Sequence, residues 1–266
     1  MMRTSLLRAI FLSSLLVLSG GAGAAGDAPL KVGVTAGPHA QIGEVVKAEA
    51  ARRGLVVELI EFSDYVQPNA ALDAGEIDLN VYQHRPFLEA QNKGRGYRLV
   101  PVADAVVQQI GIYSRKVGKL DDLPQGAQVA IPNDPTNGAR ALLVLRDAGL
   151  IGLREGVDVG ASPLDVVENP KGIRFVEIEA AQLPHALGDV DAAAVNSSYA
   201  IPAGLSPARD ALVLERKDGP YAVIVIAARE DRRDDPRIAQ FVEAYHTPEV
   251  KAFVEQAFPD AYSAAW

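Results

Sequence analysis

Strand-like and helix-like segments alternate along almost the whole chain, and this alternation limits the possible folds more than any other feature. Short runs rich in branched apolar residues, such as "LKVGVT" (30–35), "IDLNVY" (77–82) and "YAVIVIAA" (221–228), are separated by helix-like segments such as 41–53 and 139–147. Alternation of this kind is typical of parallel sheets covered by helices on both faces. We therefore predict an α/β fold with mostly parallel sheets.

A short unit of sequence occurs twice. The segments "AALDAGEIDLNVY" (70–82) and "PHALGDVDAAAVN" (184–196) both give Ala-Leu, then Gly, an acid, a β-branched residue, Asp and a strand. Ligands of open parallel sheets bind beyond the carboxyl ends of the strands. Two units that each present polar groups there predict two lobes facing one cleft, although helix–turn–strand units also recur by chance in α/β proteins.

Two polar, turn-rich segments, 114–126 and 216–220, are candidates for the passages between the lobes. They predict a first lobe from 26 to 113, a second lobe from 114 to 219, and a return segment from 220 to 266 that completes the first lobe. The first lobe is then discontinuous in sequence.

Residues 1–25 have the pattern of a secretory signal. Arg3 and Arg8 precede a short apolar run, and small residues that include Ala22-Gly23-Ala24 follow it. The alternative is an uncleaved N-terminal anchor. No later apolar run approaches the roughly 20 residues that span a bilayer, so we expect an exported protein with no stable membrane anchor.

Composition excludes several classes of function. The net charge of −8 is unfavourable for nucleic-acid binding, which depends on basic patches. The absence of cysteine excludes thiol catalysis, Cys-ligated zinc and attachment of a lipid to a cysteine. The four histidines are scattered, without metal-ligand spacing, and no nucleophile elbow or phosphate-binding loop is present. We therefore expect a binding protein without metal or cofactor, not an enzyme.

Three polar side chains that follow predicted strands are candidates for ligand binding. A strand ends at Pro132, and a helix is expected to begin near Gly138 with Asn137 as its N-cap. The helix dipole disfavours a cation in the first turn, so Arg140 either binds an anionic ligand such as a carboxylate, or is exposed or paired with a structural acid. Asn196 can donate and accept hydrogen bonds, which suits either an amino acid or a turn.

Aromatic side chains accompany the strand of the first repeated unit. Tyr82, His84 and Phe87 lie within "NVYQHRPFLEA" (80–90), at the end of that strand, and no partner spacing supports a catalytic triad or metal site there. The stretch is best interpreted as one wall of a pocket. Tyr65, which follows an earlier strand, is either a second part of that wall or a buried structural tyrosine.

Five motifs together carry a resemblance to a known family. The chain resembles the methionine-binding, NlpA-type substrate-binding proteins of ABC importers through "VGVTAGPHAQI", "FSDYVQPNAAL", "GEIDLNVYQHRPFL", "IPNDPTNGARALLVL" and "AAAVNSSYA", in this order. The resemblance implies a two-lobed periplasmic-binding-protein fold, type II-like, that closes over a free amino acid, usually methionine in its L or D form or a close derivative. It also implies delivery to a membrane permease driven by an ATPase, by a binding protein that we expect to be a periplasmic monomer.

The resemblance implies roles for the candidate residues. Four side chains would wall the pocket around the methionine side chain: Tyr65, Tyr82, His84 and Phe87. Arg140 would hold the carboxylate with Asn137 nearby, and Asn196 would bind the polar end of the amino acid. Tyr82 stands where the family usually has Phe, and Phe87 where it often has Tyr.

Two departures from the family pattern affect these expectations. The family usually has a lipidated Cys at the end of its signal, and the absence of Cys predicts a protein that diffuses freely in the periplasm. The family often has an Asn that contacts the ligand at the position of Val223. Losing a buried hydrogen bond costs about 1–3 kcal/mol, so the pocket is expected to bind methionine weakly or to prefer a related ligand. The alternatives are import of another small carboxylate, a periplasmic hydrolase of an amino-acid derivative, and a ligand-sensing partner of a receptor.

Overall fold

The computed structural model describes residues 28–266, so the predicted signal at 1–25 lies outside the described residues. The first part of the described chain alternates regularly between strands and helices. Its elements are β1 (Leu30–Thr35), α1 (Pro38–Arg52), β2 (Val57–Phe62), α2 (Gln67–Asp73), β3 (Leu79–His84), α3 (Arg85–Arg95) and β4 (Leu99–Gln108).

The middle part contains shorter elements. They are β5 (Ile110–Tyr113), β6 (Gln128–Pro132), α4 (Pro135–Asp147), β7 (Gly152–Leu153), β8 (Val166–Glu168), β9 (Arg174–Ile178), α5 (Leu183–Ala186), β10 (Ala192–Asn196), α6 (Ser197–Ala200), α7 (Pro207–Asp210) and β11 (Ala211–Leu214). The last part contains β12 (Val223–Arg229), α8 (Pro236–Tyr245), α9 (Pro248–Ala257) and β13 (Tyr262–Ala264).

A six-stranded sheet forms the centre of the first lobe, in the order β13-β4-β12-β3-β1-β2. β1 pairs in parallel with β2 and β3, whereas β12 runs antiparallel between β3 and β4. Apolar residues of α1, α8 and α9, among them Ile42, Phe241 and Val250, pack with those of the sheet in one buried core. The first sheet is therefore mixed, which corrects the expectation of mostly parallel strands.

A five-stranded sheet forms the centre of the second lobe, in the order β11-β5-β10-β6-β9. β6 pairs in parallel with β9 and β10, and β5 runs antiparallel to β10 and β11. The apolar face of α4 packs on this sheet through Leu142 and Leu145. The prediction of an α/β chain with two sheet-centred units is confirmed. The spacing of apolar residues does not indicate whether a strand that the chain adds on its return, such as β12, runs parallel or antiparallel to its neighbours.

The chain passes between the sheets twice. β4 ends at Gln108 in the first sheet and β5 begins at Ile110 in the second, and the return runs from Leu214 to Val223. By strand pairing, 110–113 belongs with the second lobe, whereas the predicted boundary placed it in the first. The apolar runs of the two strands are separated only by Gln108 and Gln109, which mark the crossing.

Candidate functional site

A small cavity lies between the two lobes, where the repeated units end. It has a free volume of only about 10 Å³, and ten residues of both lobes line it: Tyr65, Tyr82, Gln83, His84, Phe87, Gln108, Asn137, Arg140, Asn196 and Ile224. Seven of the eight candidate residues line this cavity. The strands of the two repeated units, β3 and β10, both end at it, as the prediction of two lobes facing one cleft requires.

His84 ends β3 and caps the next helix. Its Nδ1 accepts a hydrogen bond from the backbone N–H of Phe87 (3.1 Å), so its hydrogen is on Nε2, which donates to Oδ1 of Asn137 across the cleft (3.2 Å). Burial and, to a smaller extent, the charge of Arg140 lower the pKa of His84 to about 3, although the bond to Asn137 opposes the shift. The imidazole is therefore neutral near pH 7 and serves as a fixed link between the lobes.

Aromatic rings form the apolar part of the wall. The ring centroids of Tyr65 lie 5.8 Å from Tyr82, 6.1 Å from Phe87 and 4.8 Å from Tyr199 of the second lobe. The hydroxyl of Tyr82 donates to the backbone carbonyl of Tyr65 (3.1 Å). Burial raises the pKa of both Tyr65 and Tyr82, so both phenols stay protonated. The rings thus present an uncharged, largely apolar surface to the cavity.

The helix that carries Asn137 and Arg140 begins earlier than predicted. α4 starts at Pro135, and its N-cap is Asp134, whose carboxylate accepts from the backbone N–H of Asn137 (2.9 Å). Asn137 is therefore not the cap, because the Asp-Pro pair supplies both a capping carboxylate and a residue suited to the first helical position. Arg140 correspondingly lies beyond the first turn. The Asn137 side-chain amide also donates to Asp134 (3.0 Å), which fixes its Oδ1 toward the cleft.

Arg140 is almost completely buried, with 1% of its surface exposed. Its Nε and Nη2 donate to the two carboxylate oxygens of Glu215 (2.9 and 2.5 Å), and Nη2 also donates to the backbone carbonyl of Gln108 (2.5 Å). The third nitrogen, Nη1, is buried and has no hydrogen-bond partner within residues 28–266. Arg140 is therefore not exposed: it pairs with a structural acid, Glu215, and it keeps one donor without a partner among the described residues.

Asn196 ends β10 and has an acceptor without a partner among the described residues, whereas Arg140 has a donor without one. Its Nδ2 donates to Oδ1 of Asn137 (3.1 Å), whereas its Oδ1 is buried without a partner among the described residues. Buried polar atoms are nearly always hydrogen-bonded in native proteins. A free donor on Arg140 and a free acceptor on Asn196, both lining one cavity, match a ligand with a carboxylate and an ammonium group.

Val223 is the one candidate that the structure places outside the cavity lining. It is half-buried at the start of β12 and faces Val107 of β4 in the strand register, whereas its neighbour Ile224 lines the cavity. The strand register shifts between Val223 and Val225, so position along the strand does not by itself decide which side chain faces the ligand.

Sequence reasoning missed several residues of the site. Gln83 lines the cavity and belongs to a fully buried amide network with Asn69 and Asn80 (2.7–2.9 Å). Its place inside "NVYQHRPFLEA" was a usable signal, since three polar residues in one buried strand require partners. Gln108 stands at the end of β4 and also could have been found there. Glu215 has no such signal.

A chain of hydrogen bonds joins the lobes beside the cavity. The hydroxyls of Tyr65 and Ser198 share a bond of 2.6 Å, and Nε2 of Gln108 donates to Ser198 Oγ (3.2 Å). His39 of α1 donates from Nε2 to Oε1 of Gln108 (2.8 Å). These bonds connect α1, the first crossing and α6, so they stabilise the observed contact between the lobes.

No group of three or more His, Cys, Asp or Glu side chains in 28–266 could hold a metal ion. In the same range, no helix is long and apolar enough to cross a membrane.

Comparison with known proteins identifies close relatives. The family model described as NlpA lipoprotein matches residues 30–266. The D-methionine-binding lipoprotein MetQ of Yersinia pestis is 48% identical over 240 residues, which cover 89% of this chain and 88% of that protein. The MetQ of Escherichia coli K12 is 46% identical with the same coverage.

Solved structures of similar proteins point to the same family. A nutrient-binding protein from Burkholderia cenocepacia, whose structure contains bound methionine, is 46% identical with a TM-score of 0.87, covering 89% of this chain and 100% of that chain. A periplasmic substrate-binding protein of an ABC transporter from Coxiella burnetii is 48% identical with a TM-score of 0.86, over 89% and 100% of the two chains. The likeness confirms the expected two-lobed periplasmic-binding-protein fold.

Proposed function

The chain belongs to the NlpA lipoprotein family, and from this premise and the geometry of the cavity we propose that it captures methionine and delivers it to an ABC importer. The family is one of binding proteins, not enzymes. The observation that carries the proposal is the pair of buried, unpartnered atoms in one cavity, Nη1 of Arg140 and Oδ1 of Asn196.

The free atoms define how the ligand lies. The α-carboxylate accepts from Nη1 of Arg140, and the ammonium group donates to Oδ1 of Asn196, so each group supplies what the protein lacks. The thioether side chain then lies against the rings of Tyr65, Tyr82 and Phe87, and sulfur–aromatic contacts are favourable. His84 contributes an uncharged edge to the same wall.

Ligand binding is coupled to closure of the lobes. The cavity takes residues from both lobes and has a free volume of about 10 Å³, so the lobes must move apart to admit methionine, which then contacts both of them. A ligand shifts an open–closed equilibrium only through its stronger contacts in one state. Methionine thus stabilises the closed state, in which Tyr65 meets Ser198 and His84 meets Asn137. The crossings at 108–110 and 214–223 serve as the hinge, and the transporter recognises the closed form.

The partners and location follow from the same proposal. The binding protein meets a membrane permease, which an ATPase drives from the other side, and it works as a monomer in the periplasm. Its relatives are named lipoproteins, but the 266 residues contain no cysteine to which a lipid could be attached. We therefore propose free diffusion in the periplasm.

Native mass spectrometry of the purified protein tests the ligand first, because a tightly held molecule copurifies and its mass identifies it. Calorimetry with L-methionine and D-methionine then measures affinity and stereochemical preference. Asn196→Ala is expected to weaken binding roughly tenfold through loss of the ammonium's acceptor. Asn133→Ala, which removes an exposed amide next to β6, is the matched control. Absence of binding of either enantiomer by the wild-type protein would refute the proposal.

A further inference from the structure

The guanidinium of Arg140 presents two different edges to two different surroundings. Its Nε/Nη2 edge is occupied by both oxygens of Glu215, which line a groove on the outside of the second lobe. Its Nη1/Nη2 edge is directed toward the backbone carbonyl of Gln108, which lines the ligand cavity. Because the guanidinium is planar and its donors are fixed, the free N–H groups of Nη1 lie on the cavity side.

Glu215 is held in this position from several sides. It is 9% exposed and follows β11 at the start of the return crossing. Its carboxylate also accepts from the backbone N–H of Ile110 (3.3 Å), its backbone N–H donates to the Ile110 carbonyl (2.9 Å), and its own carbonyl accepts from the Gln109 side chain. It cannot move away from Arg140 without disturbing both crossings.

This pairing determines the charge that the ligand meets. Within residues 28–266, the cavity lining contains one charged side chain, Arg140, and Glu215 neutralises it from behind. The α4 dipole partly offsets the charge of Asp134, and both Asp134 and Asp64 lie near enough to Tyr82 of the wall to act on it. Oδ1 of Asn196, the acceptor offered to the other end of the ligand, is neutral. The one charged side chain of the lining is therefore already paired before any ligand enters.

We propose that Glu215 is a specificity-determining residue that makes the cavity select zwitterionic amino acids against α-hydroxy and α-keto acids of the same shape. Burying a neutral zwitterion leaves the site balanced, whereas burying an anion adds one uncompensated negative charge next to Glu215. An unpaired Arg140 would instead give the anion a counter-charge. The inference rests on the proposed function and assigns the basis of ligand choice to a residue that acts through Arg140.

The test uses two ligands that differ in one group: L-methionine and its 2-hydroxy analogue, in which a hydroxyl replaces the ammonium. Both can donate to Asn196 Oδ1, so they differ mainly in net charge. The wild-type protein is expected to prefer methionine by about a hundredfold or more. Glu215→Gln is expected to reduce that ratio at least tenfold by raising affinity for the hydroxy acid. Glu155→Gln, the same acid-to-amide change at an exposed position of the second lobe away from both crossings, should leave the ratio unchanged.

The outcomes separate the two proposals. If the wild-type protein binds neither ligand, the proposed function fails and this inference fails with it. If methionine binds but Glu215→Gln weakens both ligands by one common factor, Glu215 only supports the fold and the inference is overturned. If the Glu215→Gln variant does not fold, a measurement on the wild-type protein still tests the inference. Its affinity for methionine should fall as pH rises above the pKa of the ligand's ammonium group, and a flat profile there would equally overturn the inference.

Discussion

Replacing Arg140 by methionine removes the guanidinium while keeping an unbranched side chain of similar reach. The change has two separate consequences, since Arg140 has two partners of different kinds. It deprives a bound carboxylate of its charged donor, and it leaves Glu215 buried with only the Ile110 N–H to support its charge. Binding and stability must therefore be measured separately.

The structure gives a magnitude for each effect. Breaking a buried ion pair by removing one partner costs about 3–5 kcal/mol. In a protein of this size, that loss lowers the melting temperature by roughly 6–20 °C. Losing a charged hydrogen bond to the ligand costs about 1.5–3 kcal/mol, which corresponds to roughly tenfold to a hundredfold in affinity.

Titration calorimetry at a temperature well below the melting point of the variant measures the binding effect, and thermal unfolding followed by circular dichroism measures the stability effect. The double variant Arg140→Met/Glu215→Gln is the control, because it removes the stranded carboxylate. It is expected to recover much of the lost stability while still binding methionine weakly. Arg146→Met, at an exposed position later on the same helix, should change neither quantity appreciably.

An unchanged affinity for methionine in the folded Arg140→Met variant would refute the role of Arg140 as the carboxylate donor. A full recovery of affinity in the double variant would refute it as well. The loss in the single variant would then come from the stranded Glu215 and not from the missing guanidinium.

Three further experiments test other parts of the proposed function and of the structure. Tyr65→Phe removes the 2.6 Å bond to Ser198 between the lobes and is expected to weaken methionine binding about two- to tenfold; equal affinities in calorimetry would show that this bond does not contribute to closure. Val223→Asn is expected to strengthen binding of L-methionine, because it adds an amide one residue from the cavity edge at Ile224; an affinity that does not rise would place this side chain outside the site. Burial lowers the pKa of His39 to about 4 and that of His84 to about 3, from 6.5. Between the lowered pKa of each histidine and 6.5, the unfolded chain therefore binds more protons than the folded one. The free energy of unfolding thus has its full value above about pH 6.5. The free energy of unfolding falls by up to about 1.4 kcal/mol per pH unit per histidine as the pH drops below that value. Urea unfolding at pH 7 and pH 5 measures this loss, which His39→Gln should reduce. An identical loss in the variant would contradict the lowered pKa of His39.

Local pattern was sufficient to predict the wall of the cavity. Tyr82 and His84 lie at the end of one buried strand, Phe87 follows it, and Tyr65 follows another strand, so a shared edge of the sheet could be predicted for them. Asn137 and Asn196 belong to the second lobe and were found in the same way. Each of these side chains stands within a few residues of the element that positions it, and such short-range relations are visible in a sequence.

Helix capping shows how a local signal can be assigned to the wrong residue. Both Asp134 and Asn137 are good N-cap residues, and the choice of Asn137 gave a helix that began too late. Pro135 decides between them, because proline suits the first helical position and its missing N–H costs nothing there. With the start at Pro135, the side chain of Asn137 is free to join the lobes and does not have to cap the helix.

Glu215 could not be found from the sequence, and the reason is the distance over which its effect acts. It stands 75 positions after Arg140 and follows a short strand without any motif around it. Its importance comes from the fold, which brings the start of the return crossing against the side of α4. The residues that line the cavity can thus be deduced from strand ends. The net charge at the cavity depends also on residues outside its lining, such as Glu215, which pairs with Arg140. If Glu215 has the proposed role, ligand choice is set partly at the return crossing, which is also part of the proposed hinge, so a change at a buried crossing residue is expected to alter specificity and closure together.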